Sequence, residues 1–174
     1  GGRNLFNALG EEEFVLPAYG NTGSFHQFMH CLTFDPHAED EGVYTISMWV
    51  KSPNGTTPVY VYNQNTNNKH WFFERTLLGN ANAEWQYFSV TVTTSTREGD
   101  SFTDAGCDKL EIYAPNRTGV IIKKVKVEKG NKPTDWTPPP ESVQSQLDNQ
   151  TTEINSTKSK LSTVETNLNG ITSK

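Results

Sequence analysis

Three of the four histidines crowd into one stretch of the sequence, and they are the first groups to test for chemistry. His26 and His30 share a face in a strand as in a helix, Cys31 follows, and His37 lies beyond. These are metal-ligating groups, yet neither an HExxH pair nor a CxxC pair completes a ligand set, so no metal site is expected. The acidic runs Glu11-Glu12-Glu13 and Glu39-Asp40-Glu41-Gly42 lack the alternation of a calcium loop and read as solvated turns. Cys31 and Cys107 are read as two buried thiols rather than as a disulfide. No nucleophile stands with a base at a recognisable spacing, so no catalytic residue is assigned and the chain is not read as an enzyme. Glycosidase carboxylates lie far apart in sequence and leave no motif, but most of this short chain is needed for scaffold.

Aromatic surface is what the chain has in excess: 9 Phe, 6 Tyr and 4 Trp in 174 residues. In the run Tyr44-Thr45-Ile46-Ser47-Met48-Trp49-Val50-Lys51, Ile46, Met48 and Val50 fall on one face of a strand, which sends Trp49 to the other. Tyr60 and Tyr62 oppose Val59 and Val61 in the same way. Tyr113, with Glu111 on its side, opposes Leu110, Ile112 and Ala114. Rings beside Asn, Gln, Glu and Arg suit saccharides, which offer C–H faces to stack and hydroxyl rims to hydrogen-bond. The alternative for each ring alone is packing under a loop. As a set, Trp49, Tyr60, Tyr62 and Tyr113 are expected to line one sheet surface, with Trp71, Arg75 and Glu111 as further members. In His70-Trp71-Phe72-Phe73-Glu74-Arg75 the parity stays open: Trp71, Phe73 and Arg75 face outward, or His70, Phe72 and Glu74 do. Trp85 and Trp136 are assigned to the core or to plugging a sheet end.

These side chains need strands to position them. Alternation predicts strands at 25–34, 44–51, 59–62, 69–76, 85–94, 109–114 and 120–128, with loops at 63–68 and 79–83. Many short strands and no convincing helix imply a two-sheet antiparallel β-sandwich. Net charge is −5, which supplies no basic field for nucleic acid. No apolar run approaches the ~20 residues of a membrane span.

The composition breaks at Thr137-Pro138-Pro139-Pro140, a stiff connector, and no aromatic residue follows it. Beyond it the period changes from two to seven. Leu147, Ile154, Leu161 and Leu168 recur at heptad a positions, with Val143, Gln150, Thr157, Val164 and Ile171 at d, where Gln150 and Thr157 soften the core. The opposite register puts Lys158 and Glu165 in the seam. Leu at a with β-branched d residues disfavours two strands, so the expectation is a trimeric parallel coiled coil; a solvated, weakly helical tail is the alternative. The chain thus divides into a sandwich at 1–137, a proline linker at 138–140 and a stem at 141–174.

The run from Val120 to Pro138, with Val125-Lys126-Val127-Glu128-Lys129-Gly130 leading to Thr134-Asp135-Trp136-Thr137-Pro138, resembles the end of jelly-roll modules in tail proteins of phages that infect Gram-positive bacteria. Arg3-Asn4-Leu5-Phe6, the Tyr44–Lys51 run and Trp85–Thr93 fit the same pattern, so the resemblance covers about residues 3–138. It implies an all-β jelly roll that binds host cell-wall polysaccharide on a virion tail, in company with other tail proteins. Many related modules have Y-I-D-D-V in the last strand, the first Asp helping to hold a structural calcium ion. Here Ile121-Ile122-Lys123-Lys124-Val125 stands instead, and an ammonium cannot ligate a cation, which argues against calcium; no cofactor is expected. The sequence therefore points to a non-catalytic glycan-binding module on a self-associating stem. Its rivals are a structural spacer of a tail fibre and an accessory domain of a larger wall-degrading enzyme.

Overall fold

The computed structural model describes residues 2–33, 42–64, 71–93 and 109–139. They form a two-sheet β-sandwich. In chain order the strands are β1 (Phe14–Val15), β2 (Ala18–Tyr19), β3 (Gly23–Phe28), β4 (Val43–Lys51), β5 (Thr57–Gln64), β6 (Trp71–Ala81), β7 (Gln86–Thr93), β8 (Leu110–Ala114) and β9 (Ile121–Lys129). One sheet has the order β1-β9-β4-β7 and the other β2-β3-β8-β5-β6, all pairings being antiparallel. Among the described residues there is no helix, and so none long and apolar enough to cross a membrane.

The alternation seen in the sequence is what fills the core. Ile46, Met48 and Val50 from β4, Val59 and Val61 from β5, and Leu110, Ile112 and Ala114 from β8 are all buried between the sheets. The strands differ from expectation at three places. The first expected strand ends at Phe28 rather than at Phe34, because His30 takes a left-handed φ of 52° that breaks the ladder. Gly79 and its neighbours, expected in a loop, continue β6 to Ala81. The Phe88 ring presses on Gly79 so closely that a Cβ there would lie 2.6 Å from a ring carbon, so only glycine lets the two sheets meet. The two-residue strands β1 and β2 were not anticipated.

The last strand carries a bulge. Ser47 pairs with Lys126 but Trp49 pairs with Lys123, so two residues of β9 oppose Met48 alone. Lys124, in the bulge, has φ of 52°. The carbonyl of Val125 next to it accepts from Asn4 Nδ2 (3.2 Å) and Trp136 Nε1 (3.1 Å). Asn4 is fully buried; its Nδ2 also donates to the Thr137 carbonyl (2.9 Å), and its Oδ1 accepts from the Phe6 and Val127 N–H groups (3.0 and 3.2 Å).

The segment that follows β9 folds back through Thr134 and Trp136 as a strap, which explains the most specific motif in the sequence. Lys126 and Glu128 alternate with the core valines and so point outward, yet they are buried, at 0% and 1% exposure. Thr134 covers them. Its hydroxyl donates to Glu128 Oε1 (2.6 Å) and accepts from Lys126 Nζ (2.7 Å) and from the Gly2 N–H (3.2 Å), while its N–H donates to Glu128 Oε2 (3.1 Å). Lys126 Nζ also donates to the Asp135 carbonyl (2.7 Å). Trp136 is thus neither core nor end plug but part of a strap over the outer face. Trp85 likewise lies half-buried with Lys123 Nζ 4.1 Å and Lys51 Nζ 5.8 Å from its ring centre. Lys123, standing where the resembled modules have the first Asp, makes a cation–π contact instead.

The described residues belong to one compact unit, Gly1–Pro139. The heptad residues Val143, Leu147, Ile154, Leu161, Val164, Leu168 and Ile171 lie outside the described residues, as do His37, His70 and Cys107; Cys31 is buried. Replacing Lys126 by Met leaves Glu128 buried without its cation, and we expect a loss of about 3 to 5 kcal/mol in chemical denaturation with the β-type circular dichroism retained at low denaturant.

Candidate functional site

The outer face of the five-stranded sheet carries a row of rings set by strand register. Phe25 pairs with Tyr113, and Tyr113 with Tyr60, so three rings line up across β3, β8 and β5. Tyr19 on β2 extends the row, its ring centre 5.3 Å from Phe25 and 5.7 Å from Tyr113. At the other end Leu77 of β6 pairs with Tyr60 and is 46% exposed. The row crosses all five strands, roughly 20 Å at the usual interstrand spacing.

Charge sits directly on it. The Arg75 guanidinium lies 4.9 Å from the Tyr60 ring centre and 6.0 Å from Tyr113, stacking on both. One step along the strands a polar row runs parallel, with Gln27 paired to Glu111 and Glu111 to Tyr62. Gln27 Nε2 donates to Glu111 Oε1 (2.6 Å), and the same oxygen lies 3.7 Å from Lys109 Nζ. Burial, and after it the Glu111 carboxylate, push the Tyr62 phenol up to about 12; Arg75 acts in the opposite direction. Tyr62 therefore stays a neutral hydroxyl, able to donate and accept, throughout the physiological range.

Of the expected site residues, Tyr60, Tyr62, Tyr113, Arg75 and Glu111 come together on this face. Trp49 does not. It lies on β4 in the other sheet, on that sheet's outer face, its ring centre 5.5 Å from Tyr87. Strand parity says which side of its own sheet a residue takes, but not which sheet the strand joins. Trp71 is in β6, its backbone paired with Gln64. Neither parity proposed for 70–75 holds as a whole. Phe73 is buried in the core while Arg75 is exposed, because the register shift between Val61 and Asn63 puts an extra residue of β6 between Phe73 and Thr76. Tyr19, Phe25, Gln27 and Leu77 were missed; in β3, parity with Ser24 and Phe28 inward would have placed both Phe25 and Gln27 outward.

Among the described residues no three His, Cys, Asp or Glu side chains converge; His37, the last member of the histidine cluster, lies outside them. His26 instead packs against Phe14 and Phe28, with ring centres 4.9 and 4.5 Å away, and desolvation lowers its pKa below 6.5.

No family model matches the chain, and no curated protein is similar to it. Among solved structures, the tripod from the baseplate of bacteriophage Tuc2009 superposes with a TM-score of 0.50 at 15% identity, over 82% of this chain and 60% of that one. The chain thus spans less than two thirds of that structure's length. The C-terminal CBM6 of a marine laminarinase from Zobellia galactanivorans matches at 0.40 and 17% identity, covering 74% of this chain and 88% of that one. A carbohydrate-binding module from Cellvibrio mixtus lichenase 5A, in complex with cellotriose, matches at 0.39 and 14%, covering 75% and 96%. At these identities the likeness defines the fold, a β-sandwich.

The Tyr62 phenol gives a direct check on the site's electrostatics. Because its folded pKa lies above the ordinary value of 10, its contribution to stability is complete below pH 10 and is lost as the pH rises toward 12. Ultraviolet difference titration of the parent against Tyr62→Phe should isolate a late tyrosinate step near 12, and that step should move down in Glu111→Gln.

Proposed function

We propose that this chain is a non-catalytic module, a jelly roll, that binds host cell-wall polysaccharide as part of a phage tail adhesion device. The observation that carries the reading is the ring row Tyr19, Phe25, Tyr113 and Tyr60 with Arg75 stacked on it and the Gln27–Glu111–Tyr62 polar row alongside. A row set across the strands offers successive stacking platforms to a chain of sugar rings, and the polar row supplies donors and acceptors for their hydroxyls. The tail setting is supported by the terminal motif and by the fold shared with a baseplate tripod.

Under this reading the segment 141–174 is a trimeric stem, held by Val143, Leu147, Ile154, Leu161, Val164, Leu168 and Ile171. It multiplies a weak affinity by presenting several modules at once.

Tyr113→Ala and Tyr60→Ala should each weaken binding of purified wall polysaccharide by about 5- to 30-fold, the equivalent of 1 to 2 kcal/mol, in calorimetric titration. The melting temperatures should stay within a few degrees, since both rings lie outside the core. Unchanged affinity in both variants refutes the face; no binding by the parent chain leaves the module a spacer. Sedimentation of the full chain should give a concentration-dependent trimer that becomes a monomer on truncation after Pro140. A monomer at every concentration refutes the stem.

A further inference from the structure

The outer face of the four-stranded sheet has its own groove, of about 490 Å³, on the side opposite the ring row. Its lining includes Trp49, Tyr87, Trp136, Lys124, Glu11 and Asp135. Trp49 and Tyr87 pair in register across β4 and β7 and are 36% and 44% exposed, and the strap Pro133–Trp136 forms a wall. Two large rings left in water beside a formed groove, rather than under it, call for a reason.

Lys124 supplies a second, independent one. It sits at φ of 52°, a left-handed conformation that costs any residue but glycine, and the β9 bulge in which it sits turns it toward the groove. Among the described residues no hydrogen bond or ion pair takes up its ammonium. The protein thus holds a strained lysine where glycine would fit better, with its charge uncommitted.

We propose that this groove is a second saccharide site, taking a neutral glycan of about two sugar rings. The size lies within the roughly 300–1,000 Å³ range of small-ligand sites, too short for the polymer segment that the ring row can seat. The lining contains two carboxylates and one ammonium, a net negative charge that disfavours uronic or phosphorylated sugars. Glu11 and Asp135 accept from sugar hydroxyls, Lys124 donates to sugar oxygens, and Trp49 and Tyr87 stack on the C–H face. The site shares its ligand chemistry with the proposed function but none of its residues, so each stands or falls alone.

The test is a titration of the full chain, followed by NMR of the tryptophan indole N–H signals assigned through Trp→Phe variants. The probes are glucose, galactose, N-acetylglucosamine, N-acetylgalactosamine and a β-linked disaccharide of each. At least one should shift the Trp49 signal saturably, and that shift should persist in Tyr113→Ala. Trp49→Ala and Lys124→Gly should each lower affinity for that sugar at least tenfold, while Lys124→Gly melts at the same temperature as the parent or higher, because glycine relieves the backbone. A Trp49 signal unmoved by every probe overturns the proposal, whatever the ring row does. So does a shift that disappears in Tyr113→Ala, or parental affinity in Lys124→Gly. A moving Trp49 signal with no wall-polysaccharide binding at the ring row keeps this site and removes the other.

Discussion

Most of what is specific to this sandwich depends on one extra residue in β9. Two residues opposite Met48 leave the Val125 carbonyl to accept from Asn4 at the start of the chain and Trp136 at its exit, so both ends of the domain close on the same peptide group. Asn4 completes the closure by satisfying the Phe6 and Val127 N–H groups and the Thr137 carbonyl. A buried amide with all four bonds made is rigid, and each bond would be costly to leave unmade. The strap that follows is then near enough for Thr134 to cap Lys126 and Glu128, which on an open sheet face would stand in water. The bulge, the strap and the left-handed Lys124 are therefore one structure seen from three sides.

That arrangement separates what holds the fold from the rings on its surface. The apolar residues between the sheets and the Asn4 and Thr134 networks hold the fold, while Tyr60, Tyr113, Arg75, Trp49 and Tyr87 all lie on outer faces. Rings in such places bury little on folding, so nothing in the core requires them. Their alignment comes free of charge from strand register: in an antiparallel sheet, side chains opposite each other across successive strands necessarily form rows. A surface that reads extended polymers is thus a natural product of the β-sheet, needing only the right residues at alternate positions.

The legible part of this structure was the part governed by period two. Val59-Tyr60-Val61-Tyr62 and Leu110-Glu111-Ile112-Tyr113-Ala114 declared their inner and outer faces in sequence, and the structure agrees residue by residue. Legibility failed wherever a register shift intervened. Phe73 and Arg75 have the same parity and opposite faces, and Lys124 owes its position to a bulge that no local pattern announces. Sheet membership was equally hidden, since Trp49 and Tyr60 look alike in sequence but belong to strands that cross from one sheet to the other. Lys126 and Glu128 would pass for solvated residues on any hydropathy argument; only the tertiary return of Thr134 makes them interior.

The placement of the two outer faces limits what one module can do. Sheets in a sandwich pack about 10 Å apart, and the rings on their outer surfaces point in opposite directions. A short glycan held on Tyr60 and Tyr113 cannot also reach Trp49 without turning round the edge of the sheet. Ligands on the two faces must then belong to different chains or to distant parts of one long chain. Avidity in such a module rises with the density of glycan around it, not with the length of the glycan alone, because the second contact is made by whichever neighbour lies within reach. A cell wall is dense in this sense and a dilute soluble oligosaccharide is not. A module carrying both proposed sites would therefore gain far more on a surface than its affinity for one dissolved ligand would suggest.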